Sequence, residues 1–285
     1  MKIGVVFPQT EIGNDPAVVA EWTRTAESLG FDHVIAFDHV LGANTASRPD
    51  WRGPYTSATP FHEPFVLFAF MASITTKLEL VTAVIILPQR QTALVAKQAA
   101  SLDVLSGGRL RLGVGTGWNA VEYEGLGENF HNRGKRSEEQ IELLRALWAN
   151  DAITYKGKWH SVTDAGVNPL PAKRRIPVWL GGMDARVVER VGKTADGWFP
   201  QFRPGVDANE FLGRMRRAAE SAGRDPKSIG VEVMAGGGRD GCAKATDHWR
   251  STGDASHLAY NTMGQGLVGR QHIDEIGRLA ALMKP

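Results

Sequence analysis

Asp38 and His39 stand side by side directly after the apolar run His33-Val34-Ile35-Ala36-Phe37. An adjacent carboxylate and imidazole can bind a cofactor and move a proton, because histidine titrates near neutrality. An aspartate capping a loop beside a surface histidine has the same spacing, so only position in the fold separates the two readings. A second candidate is Gly113-Val114-Gly115-Thr116-Gly117-Trp118, the densest glycine stretch that ends an apolar run. It lacks the full Gly-x-Gly-x-x-Gly spacing of a dinucleotide fingerprint, but glycines there would admit a bulky ring system close to the backbone. A third is Gly181-Gly182-Met183-Asp184, between an apolar run and a helical pattern. N–H groups at a helix N-terminus favour an anion, and glycine lets a phosphate approach; a tight turn into a helix needs glycine too. No carboxylate triad, His-x-x-Glu pair or Cys/His cluster offers a metal site. There is no Gly-x-Ser-x-Gly elbow and no Walker A loop. A glycine-rich, aromatic set of this kind suits a flat, conjugated cofactor carrying a phosphate.

Such residues need elements to hold them. Strands are predicted at Lys2–Phe7, His33–Asp38, Leu78–Ile86, Arg109–Gly115, Pro177–Gly181, Gly197–Phe202, Gly230–Ala235 and His257–Met263. Several are continuous apolar runs, as in parallel strands buried on both faces. Helical patterns lie between them at Pro16–Leu29, Thr92–Leu105, Ser137–Trp148, Asp184–Lys193, Asp207–Ala222, Ala243–Thr252 and Gln271–Met283. Pro16 opens the first and Gly30 stops it; Ser137, with Gln140 three residues on, reads as an N-cap. Strands alternating with helices imply a parallel sheet, and eight of them imply one closed (β/α)8 TIM barrel in the α/β class, spanning residues 1–285 as a single domain. A doubly wound sheet would favour a phosphate loop after the first strand, and Phe7-Pro8-Gln9-Thr10 has no such glycines. Two insertions interrupt the alternation. Val40–His62, after strand two, is rich in Gly, Pro, Asn and Ser and reads as an active-site loop. Asp151–Arg175, before strand five, carries a hairpin turning at Lys156-Gly157-Lys158. In a parallel barrel the site lies at the C-terminal strand ends. That rule selects Gln9, Asp38-His39, Ala83-Val84, Thr116-Gly117-Trp118, Gly181-Gly182-Met183, Trp198 and Asn261.

Composition excludes other classes. Lys+Arg number 33 against Asp+Glu 31, too balanced for a nucleic-acid or membrane-surface protein. The densest basic cluster, Lys173-Arg174-Arg175, reads as a solvated loop. The longest apolar run, Phe65 to Ile74, is far short of the ~20 residues that span a bilayer. The start reads as a strand and not as a signal peptide. The single cysteine, Cys242, cannot form an internal disulfide and reads as a buried, inert thiol in a reducing cytoplasm. Glycine is the outlier, 32 of 285 residues, roughly half again the usual share.

These segments together resemble the bacterial luciferase-like monooxygenase superfamily, and within it the deazaflavin (coenzyme F420)-dependent oxidoreductases. The resemblance is carried by Phe37-Asp38-His39, by Leu102-Asp103-Val104-Leu105-Ser106-Gly107-Gly108-Arg109, and by Leu112 through Trp118 with Glu122. Ile176-Pro177-Val178-Trp179-Leu180-Gly181-Gly182 and Ala195-Asp196-Gly197-Trp198-Phe199-Pro200 also match. It implies a barrel with coenzyme F420 or, in the alternative, FMN in its mouth, a small-molecule substrate, and a homodimer. It implies that Asp38 contacts the cofactor ring and His39 exchanges a proton near the reacting carbon. A non-prolyl cis peptide between Ala83 and Val84 would buttress the ring, with Thr116 and Gly117 lining it and Gly181, Gly182 and Met183 presenting N–H groups to the phosphate. The sugar-phosphate dehydrogenases of this group have an acidic residue where Trp118 stands, so that substrate is not expected. The resemblance leaves three readings: hydride transfer with the deazaflavin, monooxygenation with FMN, or a non-catalytic cofactor-binding paralogue.

Overall fold

The computed structural model describes residues 1–202 and 207–283. Its strands are β1 (Lys2–Val6), β2 (His33–Ala36), β3 (Glu79–Thr82), β4 (Ile85–Ile86), β5 (Leu110–Gly115), β6 (Ile153–Lys156), β7 (Ser161–Ala165), β8 (Val178–Gly181), β9 (Gly197–Phe199), β10 (Gly230–Ala235) and β11 (His257–Tyr260). The helices are α1 (Pro16–Ser28), α2 (Pro64–Ser73), α3 (Thr92–Ser106), α4 (Ala120–Gly125), α5 (Arg133–Ala149), α6 (Ala185–Thr194), α7 (Ala208–Ser221), α8 (Gly238–Thr252) and α9 (Gln271–Ala280). All ladders except β6–β7 are parallel. The order β3-β2-β1-β11-β10-β9-β8-β5, with β5 pairing back to β3, closes an eight-stranded TIM-type barrel. β3 and β4 are two halves of one barrel strand, parted at Ala83–Val84, whose peptide bond is cis. β6 and β7 form a separate antiparallel hairpin between α5 and β8.

Period-two alternation divides the core. Ile3, Val5 and Phe7, or Leu110, Leu112 and Val114, face the helices and join the large outer cluster. The interior holds Val6, Ile35, Val81, Trp179, Phe199 and Ala259. Beneath them lies a charged layer near the N-terminal strand ends. Arg111 donates to Glu232 at 2.5 Å and to Glu79 at 3.0 Å, with its guanidinium 4.3 Å from the Trp179 ring. His33 closes the layer against the second oxygen of Glu232.

Several local readings are corrected. Ser137 is not an N-cap: α5 begins at Arg133, and Ser137 is buried inside it. Residues 64–73 form a helix with Pro64 in its first turn and the Glu63 carboxylate accepting from Val66 N–H. The three strands predicted to run to 38, 202 and 263 end earlier, at Ala36, Phe199 and Tyr260. Among the described residues no helix is long and apolar enough to cross a membrane. Cys242 is buried, with its thiol pushed up to about 11 by that burial and the nearby charge of Glu275.

Candidate active site

The strand ends bring the predicted residues to one mouth. Phe37, Ala83, Val84, Met234 and Met263 pack on the interior cluster as half-buried apolar side chains, forming a shelf. Val84 is seated by two glycines: a Cβ on Gly115 would lie 2.5 Å from its Cγ2, and one on Gly181 would lie 2.8 Å from its Cγ1. A Cβ on Gly113 would meet Thr82 O at 1.9 Å and the Phe199 ring at 2.6 Å. Gly113 and Gly115 therefore make room for the protein's own Phe199 and Val84, and not directly for a foreign ring as the sequence suggested.

Asp38 is buried and its carboxylate is fully engaged. It accepts from Ile86 N–H at 3.0 Å and from Arg90 Nη2 at 2.8 Å and Nε at 3.4 Å. Arg90 also donates to Glu63 at 2.9 Å. Burial disfavours the guanidinium charge, but Asp38 and Glu63 together hold its pKa above the ordinary value. Asp38 thus fastens the segment that follows Val84, and its side chain is turned to Arg90 and Ile86.

His39 has a different surrounding. Its Nδ1 lies 3.1 Å from Oε1 of Glu122, whose side chain is 1% exposed. The ring is flanked by Tyr55, Phe61 and Trp118 at centroid distances of 4.7, 4.8 and 5.7 Å. Trp118 is 44% exposed and packs on Trp51. A cavity of about 130 Å³ opens beside the imidazole, lined by Val40, Leu41, Tyr55, Thr59 and Phe61 among others, with no lysine or arginine among the described residues. Burial would raise the Glu122 carboxyl, yet His39 and the N–H groups of Val40 and Leu41 hold it below the usual carboxylate range.

At the next rim, Thr116 and Gly117 are half-buried. Thr116 O accepts from Tyr123 OH at 2.7 Å, and a Cβ on Gly117 would meet Ile86. Gly182 N–H is aimed at Phe199 O at a long 3.5 Å, and Gly182 O accepts from Trp198 Nε1. Asp184 already caps α6, accepting from Arg186 N–H, so any anion there shares the helix end with a carboxylate. The sequence reading missed Arg90, Tyr55 and Phe61 and gave Glu122 no role. Tyr55 and Phe61 lie inside the loop marked as functional, while Arg90 and Glu122 reach the pair from 52 and 83 residues away.

The shelf fits a flat conjugated ring. It offers apolar side chains from several strand ends, and beside it Gln9 has a buried, unpartnered Oε1 while its Nε2 donates to Phe37 O. A larger cavity of about 470 Å³ lies at the opposite face, lined by Arg145, Arg174, Arg175, Lys193 and Arg224. Its arginines are engaged: Arg174 with Asp151, Arg175 with Asp196, Arg145 with Thr194 O, and Arg224 with Gly192 O and Ala195 O.

Comparison with known proteins agrees with this fold. Residues 1–238 match the luciferase-like monooxygenase family. An uncharacterised protein of Mycobacterium tuberculosis is 32% identical over 247 residues, covering 85% of each chain. The F420-dependent hydroxymycolic acid dehydrogenase of the same organism is 30% identical, covering 89% of this chain and 68% of its own. A solved F420-dependent secondary alcohol dehydrogenase, in complex with an F420–acetone adduct, shares the fold at a TM-score of 0.81 and 17% identity, covering 100% of this chain and 99% of that one. The chain belongs to the luciferase-like monooxygenase family of flavin- and deazaflavin-dependent oxidoreductases.

Proposed function

We propose that this protein is a coenzyme F420-dependent oxidoreductase that transfers a hydride to or from a small, uncharged substrate. The observation that carries this reading is the pairing of an apolar shelf at the strand ends with a histidine at the same rim, caged by aromatic rings. Its relatives include a protein named as an F420-dependent dehydrogenase at 30% identity. When bound, the deazaflavin would supply the two-electron hydride chemistry.

The chain's own residues would do the rest. Phe37, Ala83, Val84, Met234 and Met263 would support the ring, with Thr116 and Gly117 along its edge. Gly181 and Met183 would direct backbone N–H groups to the phosphate, with Gly182 letting it approach the backbone while its own N–H is turned toward Phe199 O. Asp38 would act on the ring through Ile86 and Arg90, which it holds. His39 would keep or give a proton at Nε2, facing the substrate. The cavity beside it has no lysine or arginine among the described residues, and Trp118 packs against the imidazole where a sugar-phosphate enzyme would place an acid. Both features favour a neutral substrate.

Titrating the purified protein with coenzyme F420 and with FMN, followed by tryptophan fluorescence, tests the cofactor. Tighter binding of F420 is expected, and tighter binding of FMN would instead favour a monooxygenase. His39→Asn should lower turnover by about 100-fold while leaving cofactor affinity within roughly two-fold; unchanged turnover would remove His39 from the chemistry. Binding without turnover over a broad panel of alcohols and carbonyls would point to a non-catalytic paralogue. The outer faces of α2 and α3 expose Val66, Phe70, Leu94 and Leu105, apolar surface that supports a homodimer. Sedimentation as a monomer would refute it.

A further inference from the structure

We propose that Glu122 is the positioning residue of His39: its buried carboxylate takes the Nδ1–H, fixes the ring's tautomer and leaves Nε2 as the nitrogen that exchanges a proton with substrate. This rests on the reading of His39 as the proton-handling group.

The geometry around Oε1 is concentrated. Three donors from consecutive residues converge on it: His39 Nδ1 at 3.1 Å, Val40 N–H at 2.8 Å and Leu41 N–H at 3.3 Å. Gln89 Nε2 approaches the other oxygen at 3.4 Å. An ionised carboxylate has acceptor sites only, so the imidazole nitrogen facing it must carry the hydrogen. The segment after Asp38 is therefore wrapped around one oxygen atom, and the imidazole is part of the wrap. α4 supplies that oxygen and is itself pinned. Asn119 Nδ2 donates to Leu41 O at 3.2 Å, and Tyr123 OH donates to Thr116 O at 2.7 Å. Tyr55, Phe61 and Trp118 restrict rotation of the ring from the remaining sides. Among charged and titratable neighbours, Asp38 is neutralised by Arg90, and the buried Tyr55 hydroxyl is held protonated, since burial raises it further. Glu122 is thus the anion that His39 faces. A histidine orienter of this kind sets which nitrogen is free, as second partners do for other functional histidines.

A purely structural role makes a different prediction. Glutamine at 122 keeps a side-chain oxygen that can still accept from Val40 and Leu41 N–H, but it removes the charge and adds a competing donor. Long-range proton–nitrogen NMR on the histidine-labelled protein without cofactor reads the tautomer directly, with His39 assigned by the signal lost in H39N. The neutral wild-type ring should be the Nδ1–H form. Glu122→Gln should shift the population several-fold toward the Nε2–H form that free imidazole favours. An Nε2–H ring in the wild type would overturn the proposal before any variant is made, and an unchanged ratio in E122Q would overturn it afterwards. In turnover, E122Q should lose roughly 10–100-fold in kcat, with cofactor affinity held within about two-fold. Should H39N retain full turnover while the NMR result stands, the functional reading fails and the positioning survives.

Discussion

Alanine at position 115 would place a methyl group 2.5 Å from Val84 Cγ2. Ordinary carbon contacts lie near ~3.5–4.0 Å, so Val84 must retreat by roughly 1 Å. It cannot move sideways, because its other methyl already rests against Gly181. The open direction is upward into the mouth, where Val84 is half-buried. Overpacking of a core costs about 1–3 kcal/mol, and this escape route puts Gly115→Ala near the lower bound, about 1 kcal/mol. The displaced valine would then stand proud of the shelf. Binding of a flat ring should suffer more than stability does, by about ten-fold or 1.4 kcal/mol. Urea unfolding of G115A, V84A and the double variant, with ring titration of each, measures both effects. Val84→Ala should relieve the clash, giving a coupling energy of about 1 kcal/mol in the cycle. Additive losses in stability, with ring affinity unchanged in G115A, would show that Val84 neither fills that space nor forms the shelf.

Other outcomes follow from the interior charges and the thiol. Arg111→Met strips Glu232 and Glu79 of their shared cation and should cost about 3–5 kcal/mol in urea unfolding, part of it recovered in R111M/E232Q; a loss below ~1 kcal/mol would reduce the layer to an ordinary surface-type pair. His257 is pushed down to about 3, by burial first and then by the Arg111 charge. The folded protein therefore keeps it neutral while the unfolded chain takes a proton below pH ~6.5. Stability should fall as the pH drops from about 6.5 toward 3, by at most ~1.4 kcal/mol per pH unit. Glu232 is raised by burial but held below its usual range by His33 and Arg111, and it adds to the loss in strong acid. His257→Gln should flatten the slope between pH 6.5 and 4.5, and an identical slope would exclude His257 as its source. Cys242 should resist a thiol reagent at pH 8 until the protein unfolds; prompt stoichiometric labelling of the folded protein would contradict its burial.

Much of the barrel was legible because its strands are short, apolar and punctuated by glycine, and because the helices between them repeat at 3.6 residues. α2 escaped because Phe65, Val66, Leu67, Phe68, Ala69, Phe70 and Met71 are apolar all round, leaving no periodicity to read. Its signal was the Glu63-Pro64 start, an N-cap followed by proline in the first turn. α5 was read four residues late because Arg133 to Arg136 are polar and give the pattern no apolar face. In the site, Asp38 and His39 were visible as neighbours, but their opposite fates were not. One is committed to Arg90 and the other to Glu122, through contacts that strand closure makes and linear spacing cannot reveal. At Gly113 and Gly115, what approaches the backbone is Thr82 O, Phe199 and Val84, neighbours that only strand closure brings in.

The charged layer under the barrel has a further consequence. Arg111, Glu232 and His33 have side chains 0–2% exposed, and the apolar layer of Val6, Ile35, Val81, Trp179, Phe199 and Ala259 separates them from the mouth. Among the described residues this apolar layer closes the barrel interior at that end. On the proposed reading, a proton gained or lost at His39 would reach solvent past the same aromatic rim that would admit substrate and release product. Traffic through such a site would be single-ended, with the exits of proton and product tied to one opening.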